Sequence, residues 1–118
     1  MSEYLIWHNP KCSTSRFVLQ ALQDAGVDPA VRDYQQQPPS AQELRDALDR
    51  LGIAPRGLLR RKNTPHDGLG LGDPALSDES LIAAMADHPV LIERPVVFGP
   101  GGARLCRPKE TVFAMLAG

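Results

Sequence analysis

Apolar positions along this chain recur with two different periods, and each change of period marks the edge of an element. Tyr4-Leu5-Ile6-Trp7 is short, apolar and β-prone, which predicts a buried strand. Residues 14–25 place Phe17, Ala21, Leu22 and Ala25 on one helical face, with Gly26 as the stop. Ala30-Val31-Arg32-Asp33-Tyr34 reads as a second, weaker strand. Strand, helix and strand in so short a span form a βαβ unit, which implies parallel pairing.

Gln35-Gln36-Gln37-Pro38-Pro39 interrupts the pattern. Ser40-Ala41-Gln42-Glu43 then has the spacing of a capping box, and Leu44, Ala47, Leu48 and Leu51 form the stripe of a helix that Gly52 ends. Pro55 to Arg61 reads as a short helix, and Asn63 to Pro74 as an irregular Gly/Pro/Asp loop in which His66 is solvated. A further helix starts at Ser77 and buries Leu81, Ile82 and Met85. Val96-Val97-Phe98 predicts a strand, Gly99-Pro100-Gly101-Gly102 a turn, and Ala103 to Cys106 its partner strand. Pro108 suits the first turn of a last helix with Val112, Phe113 and Leu116 as its stripe. The order βαβ, helical block, ββα predicts an α/β fold with a small mixed sheet. It implies a single domain, 1–118, with a helical insertion over about 40–87.

Composition narrows the function classes. The 118 residues carry a net charge of −1, so no basic footprint for nucleic acid or an anionic membrane is expected. No apolar run approaches the ~20 residues of a membrane span. Glu3 and the lack of an apolar h-region argue against a signal peptide. The 2 cysteines do not make a disulfide framework, which points to a reducing cytoplasm.

Chemistry concentrates in His8-Asn9-Pro10-Lys11-Cys12-Ser13-Thr14-Ser15-Arg16, where the first strand turns into the first helix. A thiol there meets the unpaired N–H groups and positive dipole end of the helix, and both favour the thiolate. A dithiol site needs Cys-x-x-Cys, but the fourth position is Ser15, so an outside thiol must resolve any adduct. A cysteine-phosphatase loop needs an arginine where Val18 stands. Cys106, beside Leu105 in a predicted strand, reads as structural.

Arg94 and Arg107 each precede a proline at a strand end, and Arg60 lies in the helical block. Three guanidiniums converging on Cys12 would bind a tetrahedral dianion, but spacing alone leaves that convergence open. His8 is placed to support the thiolate, and His88 reads as a cap or structural contact. The 3 histidines are too scattered for a metal site.

His8 to Arg16 resembles the active-site segment of glutaredoxin-dependent arsenate reductases of the ArsC family. The resemblance continues through Leu58-Leu59-Arg60, Leu69-Gly70-Leu71, His88 to Pro95, and Leu105-Cys106-Arg107-Pro108. It implies a thioredoxin-like fold, Cys12 as nucleophile, Arg60, Arg94 and Arg107 as oxyanion ligands, and His8 and Ser15 in support. Pro95 matches the cis-proline of that fold. The implied reaction converts arsenate to arsenite with glutathione as co-substrate and glutaredoxin as partner, with no bound cofactor, in a cytoplasmic monomer. The alternatives on the same scaffold are a glutathione-dependent thiol enzyme with another substrate, or an Spx-like regulator that binds RNA polymerase. Ser15 in place of a second cysteine argues against the regulator.

Overall fold

A computed structural model describes residues 3–117, so the outermost ends of the expected 1–118 domain (Met1, Ser2 and Gly118) lie outside the described residues. The chain forms two compact units, one from the segments up to Gln37 and from Arg94 onward, the other from Pro38–Glu93.

The first unit is built on a four-stranded sheet. Strand β1 (Leu5–His8) leads into helix α1 (Ser13–Asp24) and returns as β2 (Ala30–Asp33), parallel to β1 as the βαβ pattern requires. In this unit, β3 (Val96–Gly99) pairs antiparallel with both β1 and β4 (Gly102–Leu105), which gives the order β2-β1-β3-β4. The last helix of the chain, α5 (Thr111–Ala117), packs on α1 and β4. This mixed sheet and its helices are the thioredoxin-like arrangement.

The core of this unit joins Ile6, Val18, Leu22, Val97, Cys106 and Val112, all with 0% exposure. Each large aliphatic side chain among them contributes ~1.5–3 kcal/mol by burial. The face of α1 that turns inward is Ser15, Val18 and Leu22; of the predicted stripe, Leu22 is buried and Ala21 packs against the core, while Phe17 and Ala25 are exposed. Phe17 and Phe113 stay on the outside and stack edge-to-face, with centroids 6.0 Å apart. The pattern places only part of this face, because Ser15 takes an inward position through hydrogen bonds rather than hydrophobicity. Pro108 also departs from expectation: it precedes a turn, and α5 begins at Thr111.

In the second unit, helices α2 (Ala41–Leu51), α3 (Pro55–Leu58) and α4 (Asp78–Asp87) fall within the expected insertion. The capping box is complete: Ser40 Oγ accepts from the Glu43 N–H at 3.1 Å, and Glu43 Oε1 accepts from the Ser40 N–H at 3.0 Å. Gly52 closes α2 at φ 68°, a left-handed conformation that glycine adopts without a Cβ clash. Ser77 caps α4 by accepting from the Ser80 N–H. Both α2 and α3 pack against α4, and Leu44, Ala47, Leu48, Leu58, Leu81, Ile82 and Met85 are buried. His66 is a correction to the solvated loop, since the residue is 7% exposed and its Nδ1 lies 2.8 Å from Asp67 Oδ1. His88 is exposed and closes α4 as its C-cap.

Candidate active site

Cys12 is the N-cap residue of α1, with extended backbone at φ −98° and ψ 122°. Its N–H donates to the Asn9 carbonyl at 3.0 Å, closing the turn that carries the chain from β1 into α1. The turn sets Sγ against the start of the helix. Partial burial of the sulfur works against the thiolate. The Ser15 N–H, the Arg94 guanidinium and the Thr14 N–H outweigh it, so the thiol titrates below its ordinary value.

Arg94 sits at the entry to β3, in front of a cis Arg94–Pro95 peptide bond. The expected cis-proline is therefore present, and a second cis bond joins Arg107 to Pro108. The Pro95 carbonyl accepts from the Cys106 N–H at 3.0 Å, which anchors the β3 entry to the end of β4. Arg107 follows that end, and its Nη1 donates to the Arg94 carbonyl at 3.0 Å. The structure therefore sets Arg94 against the Cys12 sulfur and ties Arg107 to the Arg94 backbone.

His8 does not act on the sulfur directly. Its Nδ1 lies 2.6 Å from Ser15 Oγ, which also accepts from the Asn9 N–H at 3.0 Å. Burial lowers the His8 pKa; the Asp33 charge opposes that shift and Arg16 adds to it. The imidazole is thus neutral near pH 7, and it steadies the residue whose N–H faces the thiolate.

Arg60 belongs to the second unit. The residue is 9% exposed, and its guanidinium donates from Nη1 to Glu93 Oε1 at 2.6 Å and from Nε to the Lys62 carbonyl at 3.1 Å. The Glu93 bond has no signal in the sequence, because an acid 33 residues away becomes a partner only through the fold.

Cys106 shares nothing with Cys12 chemically. It is fully buried, and desolvation pushes its thiol up to about 11. Both cysteines are free. Among the described residues no group of three or more His, Cys, Asp or Glu side chains is placed to hold a metal, and no helix is long and apolar enough to cross a membrane.

A thioredoxin-like sheet carrying one activated thiol at a helix N-cap, with the Arg94 guanidinium bearing on it, defines a monothiol enzyme scaffold. The ArsC family model matches residues 7–115, and the chain belongs to the ArsC family. An arsenate reductase from Rhizobium meliloti is 49% identical over 94% of this chain and 79% of its own length. One from Neisseria meningitidis is 43% identical over 98% of this chain and 100% of its own. The solved structure of an arsenate reductase from Vibrio cholerae superposes with a TM-score of 0.91 at 45% identity, covering 96% of this chain and 97% of that one.

Proposed function

We propose that this protein is an arsenate reductase that draws its electrons from glutathione and glutaredoxin. The observation that carries this reading is the low-pKa thiolate of Cys12 with Arg94 against it, in a chain 49% identical to an arsenate reductase. Arsenate is a tetrahedral anion, and guanidinium forks bind such groups bidentately.

Arg94 and Arg107 hold the oxyanion, and the Cys12 thiolate attacks arsenic with loss of water. The glutathione thiolate then attacks the Cys12 sulfur of that adduct. The S–As electron pair passes to arsenic, As(V) becomes As(III), and arsenite leaves. Cys12 remains as a mixed disulfide with glutathione. A glutaredoxin thiolate attacks the glutathionyl sulfur and releases the Cys12 thiolate. Two thiols supply the two electrons, and Cys106 supplies none. His8 and Ser15 keep the first turn of α1 in place for the attack. The chain works as a cytoplasmic monomer, where glutathione is held reduced.

The test is arsenate-dependent NADPH oxidation with glutathione, glutaredoxin and glutathione reductase. Wild type turns over and Cys12→Ser does not. Arg94→Ala weakens arsenate use by about 10- to 100-fold, the loss of one charge-assisted contact of ~1.5–3 kcal/mol. No arsenate-dependent oxidation by wild type, with the coupling enzymes proven active, overturns the reading.

A further inference from the structure

Thr14, Arg107, Pro108, Lys109 and Glu110 line an open cavity of about 290 Å³ in the first unit. That volume is near the lower end of small-molecule sites, ~300–1,000 Å³. Two of its walls are shared with the active site. The Thr14 N–H is one of the groups that bear on Cys12 Sγ. Arg107 is tied through its Nη1 to the carbonyl of Arg94, whose side chain also bears on the sulfur.

The charges around this cavity are two cations, Arg107 and Lys109, and one carboxylate, Glu110, all exposed. Lys109 does not wave freely. Its Nζ sits 4.6 Å from the centroid of the Phe17 ring, and Phe17 is held edge-on by Phe113 at an interplanar angle of 87°. Glutathione carries the opposite set, two carboxylates and one ammonium, around a thiol that must reach Cys12. An uncharged or purely anionic thiol would leave part of this set unmatched.

We propose that this cavity is the glutathione subsite. Arg107 and Lys109 take the two carboxylates of the tripeptide, Glu110 takes its ammonium, and its thiol is delivered past Thr14 to Cys12. The assignment rests on the reading of the protein as a glutathione-dependent reductase. It adds that glutathione is selected by charge before any bond forms, and that Arg107 faces both the oxyanion and the reductant.

The test separates the subsite from the arsenate chemistry. With glutathione disulfide alone, the Cys12 thiolate attacks one sulfur, the S–S bond breaks and a glutathione thiolate leaves. The product, Cys12 carrying glutathione, is followed by mass. Cystamine is the control, because its disulfide has no carboxylates. Lys109→Glu should slow glutathionylation about tenfold while the cystamine rate stays within about twofold, and Lys109→Arg should restore the wild-type rate. Glu110→Lys should slow glutathionylation as well. In the coupled assay, Lys109→Glu should raise the KM for glutathione by a similar factor and leave the KM for arsenate unchanged. Circular dichroism confirms that these exposed substitutions fold. Equal effects on glutathione disulfide and cystamine, or no effect on either, overturn the subsite even if wild type reduces arsenate. Charge-dependent glutathionylation without arsenate turnover supports the subsite and overturns the arsenate reading.

Discussion

His8 Nδ1 and Ser15 Oγ approach to 2.6 Å across the turn that holds Cys12, and both side chains are buried. With the Asn9 N–H already donating to Oγ, the simplest proton arrangement has the serine hydroxyl donating to Nδ1 of the neutral ring. Ser15→Ala leaves the imidazole and the Asn9 N–H without this partner, and should cost ~1–3 kcal/mol in urea unfolding. The same variant should move the Cys12 alkylation profile to higher pH, because the Ser15 N–H is less firmly aimed at the sulfur.

The lowered pKa of His8 makes stability depend on pH in one direction. The unfolded chain takes up a proton near the ordinary value of 6.5, while the folded chain resists it. Stability from this residue is therefore complete above that value and is lost as pH falls below it, until the folded-state pKa is also passed. His8→Gln should flatten that part of the profile when urea midpoints are compared between about pH 7.5 and 5.5. An unchanged slope would show that the imidazole is not held neutral.

The two thiols should differ sharply toward iodoacetamide. Cys12 should alkylate at pH 6 faster than a free thiol, and Arg94→Ala should slow it by removing a cation that favours the thiolate. Cys106, buried and with its thiol pushed up to about 11, should stay unlabelled until the protein unfolds. Mass spectrometry of the labelled peptides reads both outcomes in one experiment.

Arg60 and Glu93 form a pair with side-chain exposures of 10% and 21%. Glu93→Gln removes the charge that offsets a mostly buried guanidinium. The expected loss is about 1–3 kcal/mol, below the 3–5 kcal/mol of a fully buried pair. The urea midpoint measures it, and a cost near zero would mean that the pair is effectively solvated.

Gly99→Ala should destabilise by ~1–3 kcal/mol, since the new Cβ would lie 2.7 Å from Cε2 of the Tyr4 ring. Tyr4 is partly buried and packs against the core, so the ring must shift from that packing to admit the methyl group. In a Tyr4→Ala background the added cost of Gly99→Ala should fall, and thermal unfolding of the four proteins completes the cycle.

Whether a feature is legible in the sequence depends on the range of the interaction that makes it. The capping box at Ser40 and Glu43 and the stop at Gly52 are settled within a few residues, and they fall where the pattern puts them. The βαβ and ββα halves are legible because hydrophobic period and turn residues agree. Cys12 is legible too, since a strand-to-helix junction is a local feature. The inward Ser15, the buried His66 and the Glu93 partner of Arg60 are not, because each is a polar group whose burial is decided by a specific bond. Periodicity counts polar residues as outward-facing and misses such cases. The outward Phe17 is the reverse error: an aromatic assigned inward belongs to a surface stack with Phe113 and Lys109.

The burial of Cys106 has a cost during oxidative stress. Peroxide acting on a partly exposed low-pKa thiolate gives a sulfenic acid, which many proteins rescue by closing a disulfide with a neighbouring cysteine. Here the other cysteine is locked in the core with its thiol held at about 11, so Cys12 has no internal rescuer. Its protection then depends on the surrounding thiol pool. Under the proposed glutathione chemistry, a fall in glutathione lets the sulfenic acid advance to the irreversible sulfinic state, so nucleophile and reductant would be lost together.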